Sequence, residues 1–226
     1  MKTNVSPCKL LFQAFFFVLL TVVGMGSAAA QNGSSPGLPG DHGLSGNQNA
    51  NEEVPTQVQQ VLTLDAGWNW VSLYLNCDAG ILSTLQEKIA QNNTEAMLKN
   101  MEYSTLLQSG SWSVSELTLT NESMYMLNLE SPTTVTLTGT LANPTDHPIT
   151  LKTGWNWFGF PLNHPLSLAE ALSSITPHKG DLIKYMVGSA SYNGTTWEGS
   201  LQNLEPGAGY MYYNNGANMT LTAPSK

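Results

Sequence analysis

Arginine is missing altogether. The eight basic residues of this 226-residue chain are all lysine, they face 16 acidic residues, and only 11% of the chain is charged. Nucleic-acid recognition rests on clustered cations and bidentate arginine contacts, so no nucleic-acid partner is expected. Cysteine is scarce, with Cys8 and Cys77 alone. The four histidines, His42, His147, His164 and His178, have no Cys or carboxylate at ligand spacing, so no metal site is expected. Phosphate loops and dinucleotide fingerprints are absent as well, and the one Gly-x-Ser-x-Gly string, Gly33-Ser34-Ser35-Pro36-Gly37, falls in a Gly/Ser/Pro-rich stretch and not at the strand-to-helix turn that a nucleophile elbow needs. The reading is therefore of a non-enzyme with no catalytic residue and no cofactor. Glu116, Glu198 and Glu205 are the one set that could supply a glycoside-hydrolysing carboxylate pair, which leaves a glycan-active enzyme as the third-ranked function.

What is present begins with a three-part N-terminus. Lys2 and Lys9 precede an apolar run from Leu10 to Met25 that ends in Ser27-Ala28-Ala29-Ala30. This pattern predicts a secretory signal peptide over residues 1–30, and hence a secreted protein of the periplasm, cell surface or extracellular space. The run contains Gln13 and is shorter than the roughly 20 apolar residues of a bilayer-spanning helix, so no stable membrane insertion is expected after cleavage. Cleavage removes two lysines and no acid, which takes the net charge from −8 to −10 and leaves Cys77 without an intramolecular disulfide partner. Residues 31–57 are Gly, Ser, Pro, Asn and Gln with almost no aliphatic side chain, and are expected to be a flexible tether.

The remainder reads as one unit written twice, residues 58–141 and 148–226. Leu62-Thr63-Leu64-Asp65-Ala66-Gly67-Trp68-Asn69-Trp70 returns as Ile149-Thr150-Leu151-Lys152-Thr153-Gly154-Trp155-Asn156-Trp157, an offset of 87. The offset shrinks to 86 at Leu82 and Leu168, then to 85 at Lys99 and Lys184, Trp112 and Trp197, and Tyr125 and Tyr210. A period near 85 is the size of a small domain and too long for a solenoid unit. Val71, Leu73 and Leu75 alternate with Trp70, Ser72 and Tyr74, which predicts a strand. Ser167 and Glu170 have capping-box spacing ahead of Leu168, Ala171, Leu172 and Ile175, which predicts a short helix. Asn193-Gly194 predicts a two-residue hairpin turn, with Gln108-Ser109-Gly110 as its weaker counterpart, and Pro206-Gly207 suits a type II turn. The expected fold is α+β and β-rich: two tandem homologous modules, each a small antiparallel sheet with one short helix.

These motifs carry a resemblance. Gly154-Trp155-Asn156-Trp157 opening a strand, a Trp197-containing hairpin and Pro206-Gly207-Ala208-Gly209-Tyr210-Met211 resemble a module seen in tandem in secreted and surface proteins of Bacteroidetes-type bacteria. The similarity covers about residues 60–224, and the first copy departs from it at Asn121-Glu122-Ser123-Met124. It implies an extracellular, non-catalytic accessory or adhesion module.

The aromatic residues supply the candidate binding surface, composed of Trp112, Trp197, Trp68, Trp70, Trp155 and Trp157. Flat rings can stack on sugar faces or cover a peptide strand, so the partner expected is a glycan or a surface protein. Against this, a strand apolar on both faces reads as central in a two-layer domain, with its helix covering the Trp68 and Trp70 side. Trp112 and Trp197, beside hairpin turns, are expected to be partly exposed. Lys99 and Lys184 recur between the copies and are read as stems lying over aromatic rings. A binding or adhesion module is the first function, and a structural spacer without a ligand is the alternative.

Overall fold

Alternation of side chains makes the first strand: from Val58 to Leu64, Gln60, Leu62 and Leu64 are buried while the residues between them face water. The computed structural model describes residues 56–224. The expected signal peptide and nearly all of the expected tether lie outside them. The N-terminal half runs β1 (Val58–Leu64), β2 (Gly67–Val71), α1 (Ala79–Ala90), β3 (Glu95–Lys99), β4 (Ser104–Gln108), β5 (Ser111–Trp112), β6 (Tyr125–Leu129) and β7 (Thr133–Gly139). Five of these strands form an antiparallel sheet in the order β2-β6-β3-β4-β5, and β1 pairs with β7 as a separate ribbon. Helix α1 starts where the Asp78 side chain accepts the Ile81 N–H at 3.0 Å. Its Ile81, Leu85 and Ile89 join Val71, Leu73, Leu98, Leu107 and Leu127 in one apolar cluster, which fixes the inner face of the sheet.

A short 3-10 turn, Pro144–Asp146, leads into the C-terminal half. There follow β8 (Ile149–Leu151), β9 (Gly154–Gly159), β10 (Leu166–Ser167), α2 (Leu168–Ala171), β11 (Leu182–Tyr185), β12 (Gly188–Tyr192), β13 (Trp197–Gly199), β14 (Asn203–Leu204), β15 (Gly209–Asn214) and β16 (Met219–Leu221). The five-stranded sheet here has the order β9-β15-β11-β12-β13, the same succession as in the first half, with β8-β16 as its ribbon and a small β10-β14 pair in addition. Phe158, Phe160, Leu172, Ile183, Tyr210 and Tyr212 fill a second apolar cluster. The protein is β-rich, with several small antiparallel sheets and few helices. The capping box at Ser167 and Glu170 is formed in full. No helix among the described residues is long and apolar enough to cross a membrane.

Turn chemistry departs from the sequence expectation in one instructive way. The two-residue hairpin lies at Ser109-Gly110, where both residues take positive φ (51° and 80°) between the paired Gln108 and Ser111. At Asn193-Gly194 the loop is four residues long, because the Asn193 side-chain oxygen accepts the N–H groups of Thr195 and Thr196 and closes a wider turn. Pro206-Gly207 does form the expected type II turn, with Gly207 at φ 77° and Ala208 N–H reaching Glu205 O.

Candidate binding site

Each Gly-Trp-Asn-Trp segment is a clamp that turns its two indoles outward. Gly67 and Gly154 take φ of 87° and 92°, the left-handed conformation that lets the chain reverse before β2 and β9. Asn69 points inward, accepts the Asp65 N–H at 2.9 Å and donates to Asp65 O and Gly67 O. Asn156 does the same with Lys152 and Gly154. With the asparagine side chain sewn to the turn, strand alternation sends Trp68, Trp70, Trp155 and Trp157 to the opposite face. That face is not the one α1 and α2 cover, so the expectation that a helix buries these rings is overturned. Trp68 stays 41% and Trp155 44% exposed.

Register gives the neighbours on the outer faces. Trp68 stands opposite Asn128 and then Met97, and Trp155 stands opposite Tyr213 and then Leu182. The Trp155 and Tyr213 rings lie 5.3 Å apart at 58°. Lys99 Nζ sits 5.0 Å from the Trp68 ring and Lys184 Nζ 5.2 Å from that of Trp155. Both distances are within cation–π range.

Trp70 and Trp157 serve the contact between the halves. Ser72 N–H donates to Gly207 O at 2.8 Å, and Gly159 N–H donates to Glu122 O at 2.8 Å. In the sequence alignment Ser72 corresponds to Gly159 and Glu122 to Gly207, so the two bonds are reciprocal, as at an isologous interface. The Ser72 hydroxyl adds a bond to Ala208 O at 2.7 Å. Across the same boundary the Trp70 backbone N–H points at Met186 Sδ, 3.3 Å away. The β3–β4 turn, through Asn100, Met101 and Tyr103, lines a groove of about 360 Å³ together with Trp157. Both inner indoles are accordingly half-buried.

Trp112 and Trp197 lie on the other side of their sheets. The Trp112 indole N–H donates to Gln86 O of α1 at 2.9 Å, and the ring packs on the first apolar cluster. Trp197 stacks near Tyr192 (5.4 Å) and Tyr212 (6.0 Å) on the second. Both are half-buried. The six tryptophans therefore divide into an exposed pair, a pair at the junction and a pair against the cores.

The remaining chemistry-bearing groups are dispersed. Glu198 accepts a bond from Asn193 Nδ2 at 2.6 Å, Glu116 is exposed between β5 and β6, and Glu205 lines a second, smaller groove with Trp70 and Met186. Burial, with Glu122 and Asp78 nearby, pushes the Cys77 thiol up to about 12, which disfavours the thiolate. Among the described residues no three His, Cys, Asp or Glu side chains gather as a metal cluster. No family model, characterised protein or solved structure matches this chain.

Proposed function

We propose that the chain is a secreted or surface-associated, non-catalytic binding protein that presents Trp68 and Trp155 to a glycan. The observation that carries this reading is the pair of large indoles left over 40% exposed on sheet faces that neither helix covers. Indole faces are favourable platforms for the C–H faces of sugars, and their outward aim is fixed by a buried asparagine rather than left to packing. The reading includes an internal duplication of residues 58–141 and 148–226. The shared strand order, the paired asparagine clamps and the reciprocal backbone bonds support it.

Tryptophan fluorescence with acrylamide quenching tests the proposal. Adding a binding polysaccharide or mucin to the protein is expected to suppress quenching, and Trp68→Ala with Trp155→Ala is expected to remove that protection. A panel in which no polymer or mucin alters quenching favours the spacer without a ligand.

A further inference from the structure

The two halves use their corresponding lysines differently. Lys99 Nζ lies 5.0 Å from the Trp68 ring and 5.7 Å from the Trp157 ring, so one ammonium is shared by two indoles across the junction. Lys184 meets the single ring of Trp155 at 5.2 Å. Neither lysine pairs with a carboxylate of the described residues. The surroundings differ as well. Exposed Glu95 shares the outer face of β3 with Lys99, whereas in the C-terminal half the acidic residue on that face is Glu198, on the far edge strand and held by Asn193. Where the N-terminal half places Asn128 beside its exposed indole, the C-terminal half places Tyr213.

Resting on the aromatic-face reading above, we infer that Trp155, Tyr213 and Lys184 form the principal subsite, and that it takes a saccharide bearing a carboxylate or sulfate group. The tilted Trp155 and Tyr213 rings receive the apolar face of the sugar. A lysine over one exposed ring gains little from that ring, and a charge-assisted bond to an anion on the sugar is the stronger partner. Lys99, already divided between two rings, holds the halves together and contributes little to the anion.

The test titrates the protein with polygalacturonate and with its carboxyl-reduced neutral form, and with dextran sulfate and dextran, by tryptophan fluorescence. At least one charged polymer is expected to bind about three- to fivefold more tightly than its neutral counterpart at low salt, as suits one partly exposed charge pair. Lys184→Gln is expected to erase that preference, Lys184→Arg to keep it and Lys99→Gln to keep it, with unfolding curves confirming that each variant is folded. A preference that survives in Lys184→Gln overturns the assignment. Equal affinity for charged and neutral polymers, lost in Trp155→Ala, overturns the anionic class while leaving the aromatic-face reading intact. Binding of none of the four overturns both.

Discussion

The N-terminal and C-terminal halves reach one strand order with differently distributed core volume. In the first, β2 and its continuation bring Val71 and Leu73 inward, and α1 supplies three turns with Ile81, Leu85 and Ile89. In the second, Phe158 and Phe160 stand at the corresponding positions, Tyr212 replaces Leu127, and α2 shrinks to four residues. Larger strand side chains fill the space that a shorter helix leaves, as close packing requires. The exchange brings a polar group inside. The Tyr212 hydroxyl donates to Asp181 at 2.6 Å, and the same fully buried carboxylate accepts the N–H groups of His178 and Asn215. The first half has Ala96 at that position and needs no such network.

This contrast predicts where substitution is most damaging. Asp181→Ala strands the buried Tyr212 hydroxyl and two part-buried backbone N–H groups, so a loss of about 3 kcal/mol is expected in urea unfolding. Tyr212→Phe removes one donor of the three and should lose about 1 kcal/mol. A result with Asp181→Ala no worse than Tyr212→Phe would show that the carboxylate is a bystander in that core.

The junction offers the next largest effect. A Cβ at Gly159 would lie 2.6 Å from Ser123 O and 2.7 Å from Asn121 O, both backbone atoms, so Gly159→Ala should destabilise by about 2 kcal/mol through overpacking. The corresponding Ser72 already carries a side chain, and Ser72→Ala loses its 2.7 Å bond to Ala208 O and the long 3.5 Å bond it accepts from the Phe160 N–H, about 1 kcal/mol. Thermal melts of the two variants side by side measure how unequal the reciprocal contact is.

Much of this architecture was legible in the sequence and some was not, for physical reasons. Period-two alternation, the Ser167 capping box and the Pro206-Gly207 turn are local signals, and each is visible within a few residues. The aim of Trp68 and Trp155 was harder to read, because a strand apolar on both sides looks the same whether its second face is covered or open. A usable signal existed: one short helix per five strands can cover only one face, and Asn69 and Asn156 share the inward phase of Val71 and Phe158. The lysine shared between Trp68 and Trp157 joins residues that lie far apart in the chain, and no local pattern encodes it.

The exposed and junction tryptophans should separate cleanly. Trp68→Ala and Trp155→Ala are expected to shift stability by less than about 1 kcal/mol, because the lost rings are nearly half in water already. Trp70→Ala and Trp157→Ala empty half-buried positions at the junction and should lose about 2 kcal/mol. Urea midpoints in the reverse order would return Trp68 and Trp155 to a structural role and remove the basis for a binding face.

The smallest effect expected distinguishes the two turns that meet across the junction. In the C-terminal half that turn is Pro206-Gly207, with no ionisable side chain at its centre. In the N-terminal half it is Asn121-Glu122, and His147 Nδ1–H donates to Glu122 Oε1 at 2.6 Å. Burial raises the Glu122 carboxyl, but the His147 bond, its own backbone N–H and Thr120 outweigh that and hold it below the ordinary 4.5. A carboxyl depressed on folding contributes stability above its unfolded value and loses it as pH falls through the folded one. Wild-type stability should therefore decline below pH 4.5 more steeply than that of Glu122→Gln. The difference should be under about 1 kcal/mol, because this carboxylate is one-third exposed and its attraction to His147 is screened by water. Urea midpoints taken from neutral pH down into the acid range give the measurement, and parallel curves for the two proteins would mean that the His147–Glu122 pair contributes nothing to the junction.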